Sequence, residues 1–73
     1  MFSREPMQAR IYKMIEAYHY RTKRMPTTLV AGPEYALLID KETRGEAIVV
    51  CGLNIQRVRD NVFLVMEGKW TEL

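Results

Sequence analysis

The chain has 73 residues, of which 48% are hydrophobic and 27% are charged, with a formal net charge of +2. This length predicts a single domain over residues 1–73, and the composition is typical of a folded globular protein. No apolar run approaches the ~18 residues of a membrane span and no signal-peptide core is recognisable, so we expect a cytoplasmic protein with no membrane partner. A single cysteine and a single histidine exclude an internal disulfide and a structural zinc site.

The charge is distributed unevenly along the chain. Residues 1–24 carry six basic and two acidic side chains, whereas residues 25–73 carry five basic and seven acidic ones. A basic first segment predicts an anionic partner, which is either nucleic acid or an acidic protein surface. The alternative is a solvated helix face that serves only to keep the protein dissolved.

The most regular pattern predicts an amphipathic helix over residues 5–24. Its apolar stripe has helical spacing and consists of Met7, Ile11, Met14, Ile15 and Tyr18. Glu5 and Pro6 suit a first helical turn, because an acidic side chain complements the helix dipole and proline tolerates this position. Pro26 disfavours helical backbone at the residue before it and therefore marks the exit from the helix.

The middle of the chain predicts a short strand followed by a second helix. Residues 27–31 are rich in β-forming side chains, and Gly32-Pro33 interrupts them. Pro33 suits the first position of a helix whose buried stripe comprises Tyr35, Leu38 and Ile39. Gly45 is the natural residue for a left-handed cap at the end of this helix.

The last third of the chain predicts β-structure. Residues 47–51 form a continuous apolar run, and residues 53–59 and 62–67 resemble the arms of a hairpin around Asp60-Asn61. The predicted fold is α+β, with an N-terminal amphipathic helix, a second short helix and a small three- to four-stranded sheet. The sheet is mixed or antiparallel and ends in the hairpin.

The predicted hairpin is apolar on both faces. A two-residue turn would place Leu53 and Leu64 on one face and Phe63 and Val65 on the other. A short chain has little material to cover both faces, so we expect a spare apolar patch that contacts another protein or a second copy. In the alternative arrangement, one helix packs on each face.

Catalytic machinery is scarce in this sequence. His19 is the single histidine, and Cys51 lies at the end of an apolar run, where a thiol is usually an inert core group. The acidic residues show no metal-loop or glycosidase spacing, and the phosphate-binding glycine motifs are absent. We therefore predict a protein that is not an enzyme, with no catalytic residues, no cofactor and no metal site.

The outer face of the first helix is the predicted binding surface, because it mixes tyrosines with basic side chains. Tyrosine and arginine are typical of interface anchors and of platforms that stack bases. Tyr12 belongs to this face and His19 flanks it. In the alternative interpretation, both are boundary residues packed by the rest of the fold. Trp70 either docks on the core or anchors a partner. The candidate partner-binding residues are Arg10, Lys13, Tyr20, Arg24, Arg57, Arg59, Phe63 and Trp70.

Two stretches resemble bacteriophage proteins. The segments PTTLVAGPEYALLI at 26–39 and GLNIQRV at 52–58, with the strand that follows, resemble the order of elements in phage proteins such as the axial domain of tailed-phage capsid proteins. This resemblance covers residues 26–67 and implies the order strand, helix and hairpin. The long helix and extended arm of a capsid protein are missing, which argues against a role in forming a shell.

In length, charge and lack of catalytic residues, the chain is also similar to small phage-encoded proteins that bind a host complex, some of which target host RNA polymerase. This second resemblance implies a regulatory protein that acts by protein–protein contact, most simply in transcription. Two alternatives remain open. One is a small nucleic-acid-binding protein that uses the first helix, and the other is a structural phage accessory protein that forms homo-oligomers.

Overall fold

A computed structural model describes residues 5–72 as two helices and a four-stranded mixed sheet, which confirms the predicted α+β class. The elements in chain order are α1 (Met7–Thr22), β1 (Thr28–Ala31), α2 (Pro33–Thr43), β2 (Val49–Val50), β3 (Leu53–Arg57) and β4 (Phe63–Met66). Neither helix of this region has the length and hydropathy needed to cross a membrane.

Helix α1 buries the predicted apolar stripe. Met7 and Ile11 are buried, Met14 and Ile15 are half-buried against the same core, and Tyr18 is half-buried. The helix ends at Thr22, and Lys23 after it adopts a left-handed conformation with φ of 61° and donates its N–H to the His19 carbonyl at 2.7 Å. At the other end, the carboxylate of Glu42 accepts the backbone N–H of Met7 at 2.6 Å, so α2 caps the first turn of α1.

Helix α2 begins at Pro33 as predicted, but its buried side differs from the prediction. Ala36 and Ile39 are buried, whereas Leu38 is 40% exposed. Leu38 is two residues from the buried Ala36, so it lies on nearly the opposite side of the helix and reaches solvent. The left-handed cap is also one residue earlier than expected, because Arg44, with φ of 59°, takes the conformation predicted for Gly45.

The strand order is β2-β3-β1-β4, with β1 parallel to β3 and antiparallel to β4. The predicted terminal hairpin is therefore wrong, because β1 lies between its two arms. Residues 58–62 cross over the end of β1, where the Val58 N–H donates to the Ala31 carbonyl at 3.1 Å and the Gly32 N–H donates to the Val62 carbonyl at 2.7 Å. All four residues of β1 are buried, so pairing on both of its edges satisfies backbone groups that water cannot reach.

This topology also corrects the predicted faces of the sheet. Leu29 is aligned with both Ile55 and Val65, and Val30 is aligned with both Gln56 and Leu64. Residues aligned across neighbouring strands point to the same side. Phe63 and Val65 therefore join Leu53 and Ile55 on the face that packs against the helices, and Leu64 and Met66 lie on the opposite face, which we call the back face.

The observed hairpin joins β2 to β3 through Cys51 and Gly52. Both residues have positive φ, of 51° and 79°, which is the signature of a two-residue type I′ turn. Cysteine seldom adopts this conformation, so the sequence shows Cys51 as the end of a strand rather than as a turn residue. Strand β2 consequently has only two residues.

The back face is partly covered by residues 68–72, which hydrogen-bond to the strands and to the loop that follows β3. The Gln56 side-chain amide donates to the Trp70 carbonyl at 2.8 Å and accepts the Trp70 N–H at 2.7 Å. The indole N–H of Trp70 donates to Asp60 at 3.0 Å, and Val30 beneath this segment is fully buried. Of the two alternatives for Trp70, the structure shows docking on the fold.

Candidate interaction surface

The C-terminal end of α1 presents an exposed aromatic ring beside several cations. Tyr20 is 80% exposed, and the Lys23 ammonium lies 4.9 Å from its ring centroid. The left-handed turn at Lys23 folds the chain back toward the last helical turn, which brings the two side chains together. We define the basic end of α1 as the exposed side chains of this turn and the exit that follows it: Tyr20, Arg21, Lys23, Arg24 and Met25.

Glu67, which follows β4, fixes this end of α1 to the sheet. The Tyr18 hydroxyl donates to Glu67 at 2.6 Å, and the Arg24 guanidinium donates to its other oxygen at 3.0 Å. The hydrogen bond from Tyr18, followed by the contact with Arg24, lowers the pKa of Glu67 below its ordinary value, and the same carboxylate raises the pKa of Tyr18. Arg24 is thus held in place, while Arg21 and Lys23 have no carboxylate within 4.0 Å in residues 5–72.

The other predicted binding residues do not join this surface. Lys13 pairs with Glu5 near the start of α1, and Arg59 lies 4.0 Å from Glu72 in the segment on the back face. Both basic side chains are exposed to solvent, so each of these pairs contributes little to stability. The residues of the predicted site therefore lie in several separate places on the molecule.

Arg10 and Phe63 do meet, but as part of the fold. The rings of Phe63 and Tyr35 stack with centroids 4.6 Å apart and planes 5° apart. The Arg10 guanidinium lies 5.4 Å from the Phe63 centroid and 6.0 Å from that of Tyr35. This stack ties α1, α2 and β4 together, which assigns Phe63 a packing role.

Arg57 is likewise engaged within the chain. Its guanidinium forms two hydrogen bonds with Asp40, at 2.9 and 2.7 Å, and a third with the Ala47 carbonyl at 2.8 Å. Asp40 in turn accepts the Ala47 N–H at 3.2 Å. The hydrogen bonds from Arg57 and then from Ala47 lower the pKa of Asp40, and Asp40 raises that of Arg57. The pair thereby links α2 to β3 and to the segment before β2.

Acid titration is expected to reveal the Asp40 and Glu67 contacts. Both carboxyls have pKa values below their ordinary ones in the folded protein, so their stabilising contribution is complete above the unfolded-state pKa of about 4 and is lost as pH falls through the folded-state values. Asp40→Asn should therefore reduce the pH dependence of the free energy of unfolding below about pH 4. Urea denaturation from pH 2 to 7 measures this dependence.

Glu16→Gln is the matched control for this titration, because Glu16 is exposed and forms no ion pair in the part of the chain that the structure describes. It should leave the acid slope unchanged. If Asp40→Asn retains the full slope of the original protein, the Arg57 contact does not govern acid stability.

Cys51 and His19, the one thiol and the one imidazole of the chain, lie apart and cannot act as a nucleophile and its base. Cys51 is adjacent to the Tyr12 side chain, and burial raises the pKa of its thiol, which disfavours the reactive thiolate. His19 lies two turns further along α1, roughly 10 Å along the helix axis, with its Nδ1 3.4 Å from the Arg24 carbonyl. Within residues 5–72 no group of three or more His, Cys, Asp or Glu side chains is arranged to hold a metal ion.

A groove of about 990 Å³ lies between the start of α1 and the end of α2. Its walls include Met7 and Leu38 with the charged groups of Arg10, Lys41 and Glu42. In the part of the chain that the structure describes, this lining combines opposite charges with apolar surface. It can contact a ligand that carries charged and apolar groups.

Sequence reasoning identified Tyr20 and Arg24 but missed their neighbours Arg21, Lys23 and Met25. The spacing of Tyr20 and Lys23 was a usable signal, because residues three apart are neighbours on a helix. Met25 follows the basic run directly and is more than half exposed, but no local sequence pattern indicates an exposed methionine there. No protein-family model, curated protein or solved structure matches the chain.

Proposed function

We propose that the protein is a non-enzymatic binding protein that attaches to an acidic surface of a macromolecular complex through the basic end of α1. The proposal rests on the exposed Tyr20 ring, which has the Lys23 ammonium 4.9 Å from its centroid. Arg21 adds a second positive charge at the same helix end, with its guanidinium 5.9 Å from the Tyr18 centroid. Regulation then follows from steric or conformational interference with the complex. Host RNA polymerase, named by the resemblance to small phage proteins, is the first partner to test.

The geometry of this end suits an anchor residue. Tyrosine provides a large contact area with few rotatable bonds, and its ring already carries a cation in the free protein. Glu67 accepts hydrogen bonds from Tyr18 and Arg24 at the same end of α1. These bonds order the helix end before a partner binds. Preordering reduces the entropy lost on binding, and the adjacent positive charges attract an acidic surface over a distance.

Substitutions at the basic end should weaken partner binding without unfolding the domain. Tyr20→Ala removes the anchor and is expected to lower affinity about 30-fold, which corresponds to ~2 kcal/mol for an interface anchor. Lys23→Glu should mainly slow association and reduce its dependence on salt, because it reverses a steering charge. Both are measured by quantitative pull-down from nuclease-treated bacterial lysate, followed by binding kinetics with the purified complex.

Lys41→Glu is the matched control for the charge reversal. Lys41 is exposed on α2 and contributes the same change of charge away from the basic end. It should leave the association rate close to that of the original protein. Unchanged binding of both Tyr20→Ala and Lys23→Glu, in variants that remain folded by circular dichroism, would exclude the basic end as the contact surface.

Nucleic acid is the second candidate, because an exposed tyrosine beside cations also suits base stacking. The observation that favours it is again the Tyr20 ring, whose outer part is open to solvent. Titration of labelled single- and double-stranded DNA and RNA separates the two functions. A dissociation constant tighter than the non-specific range of roughly 10⁻⁴–10⁻⁶ M, with a steep salt dependence, would identify nucleic acid as the ligand.

A further inference from the structure

Among residues 5–72, strand β4 is an outer strand of the sheet and has one edge without a partner strand. Gly32 donates its N–H to the Val62 carbonyl, and two residues earlier in the chain Val30 is aligned with Leu64. Backbone groups alternate along an antiparallel ladder, so Val62 and Leu64 direct their N–H and C=O groups toward β1. Phe63 and Val65 direct theirs away from the sheet, toward the open side.

The opposite edge of the sheet is closed by side chains. Ile55 donates its N–H to the Ile48 carbonyl, so the outward backbone groups on that edge belong to Ala47 and Val49. Asp40 accepts the Ala47 N–H and Arg57 donates to its carbonyl, which occupies the outward groups next to the strand. Only Val49 is left with outward groups on a strand of two residues.

Within residues 5–72, no side chain hydrogen-bonds to the outward backbone groups of β4 in the way that Asp40 and Arg57 bond to Ala47. The four residues of β4, Phe-Leu-Val-Met, are all apolar and all half-buried, without a charge or a proline. Natural edge strands usually carry such features, because an unprotected edge pairs readily with another strand. The two edges of the sheet therefore differ in their contacts. Side chains occupy outward backbone groups beside β2, whereas the outward groups of β4 face solvent or a partner strand.

We propose that β4 pairs antiparallel with β4 of a second copy of this chain, which joins the two sheets into one of eight strands. A two-fold axis at Leu64 places Phe63 of each copy opposite Val65 of the other. These are the residues whose backbone groups face outward, so each of the two pairs exchanges two N–H to C=O hydrogen bonds. The strand is thus complementary to itself under a closed two-fold symmetry.

The charges at the ends of β4 favour this register. An axis at Leu64 pairs residues 62–66 of one copy with the same apolar residues of the other and leaves Glu67 outside the pairing. An axis at Val65 would instead set Phe63 opposite Glu67, whose carboxylate already accepts the hydrogen bond from the Tyr18 hydroxyl. An axis at Phe63 would pair Val65 with the loop that crosses over β1.

The contact is small, which determines the expected strength. One strand of four residues buries far less than the ~800 Å² per partner of a standard interface. We therefore expect a reversible dimer with a dissociation constant in the range of roughly 10⁻⁵–10⁻⁴ M, comparable to weak transient contacts. At low concentration the protein is a monomer of 8.6 kDa.

Sedimentation equilibrium from about 10 μM to 1 mM tests the dimer. The average mass should rise from that of one chain toward twice this value as concentration increases. Leu64→Lys brings two ammonium groups together at the axis and should weaken association at least tenfold. The matched control is Leu37→Lys, the same change at an exposed position of α2, which should leave association unchanged. A strict monomer at every concentration, or a Leu64→Lys variant that dimerises normally, would overturn the proposal.

A cross-link tests the register even if Leu64→Lys disturbs folding. Leu64 forms a non-hydrogen-bonded pair with itself across the axis, with Cα atoms about 4.5 Å apart, which is within the range for a disulfide. In a Cys51→Ser background, Leu64→Cys should give a disulfide-linked dimer in glutathione redox buffer. Val49→Cys, on the opposite edge, should remain largely monomeric. Preferential linking through Val49→Cys, or no linking of Leu64→Cys at 1 mM, would contradict pairing through β4.

Discussion

Ile11→Ala is expected to reduce the free energy of unfolding by about 2–5 kcal/mol, the usual range for truncating a fully buried aliphatic side chain. Ile11 has no exposed surface and lies in the cluster that joins α1 to the sheet, in contact with the group that includes Leu29 and Ala31. Truncation leaves a cavity that these neighbours cannot fill. Urea denaturation measures the loss. A domain of this size buries only about 60% of its unfolded surface, so such a loss removes a large part of its stability.

Gln8→Ala is the control for Ile11→Ala, because Gln8 is exposed on the same helix and its truncation should change stability by no more than about 0.5 kcal/mol. Binding of a partner by Ile11→Ala should fall only in proportion to its unfolded fraction. Equal stability of the two variants would mean that α1 does not contribute to the core.

Gly32→Ala is expected to destabilise the protein by about 3 kcal/mol, because the new methyl group would meet main-chain atoms that cannot rotate away. An added Cβ would lie 2.5 Å from the Asp60 carbonyl oxygen and 3.1 Å from the Val62 nitrogen. The φ of Gly32 is −69°, which any residue can adopt. Glycine is needed here because the loop passes so close that a side chain would collide with it. Thermal and urea denaturation would both report the change.

Gly45→Ala separates this effect from a general effect of replacing glycine. Nothing lies within 4 Å of a Cβ added at Gly45, so this variant should be neutral or gain up to about 1 kcal/mol from the reduced entropy of the unfolded chain. A Gly32→Ala variant as stable as Gly45→Ala would show that the loop over β1 can move aside at little cost.

The first helix could be predicted closely, because a single local period carries the information. Met7 and Ile11 follow from the 3.6-residue repeat alone, and both are buried. The sheet order could not be predicted this way. The two arms around Asp60-Asn61 are adjacent in sequence and contain turn-forming residues, yet β1 separates them. That choice depends on burying Val30 and Ala31 between two neighbours, which is a property of the whole fold.

The candidate surface was predicted only in part for a related reason. Tyr20 was found because an aromatic residue on a polar helix face is visible in the sequence. Arg57 and Trp70 are just as visible in the sequence, but both are bound within the fold. Their partners, Asp40 and Gln56, lie 17 and 14 residues away, so no local pattern predicts these contacts. A basic or aromatic side chain read from sequence therefore marks a potential contact, while the fold decides whether the contact is internal.

The central position of β1 has a consequence for folding during synthesis. Thr28 is made early, but it pairs with Asn54 on one side and with Met66 on the other, so both neighbours of β1 arrive late. Neither the first half nor the second half of the chain can assemble this sheet alone. β1 can therefore pair with β3 once residues 53–57 have left the ribosome, but its other edge has no partner strand until residues 63–66 follow. Local hairpin formation cannot shorten this delay, because both pairings join distant parts of the chain.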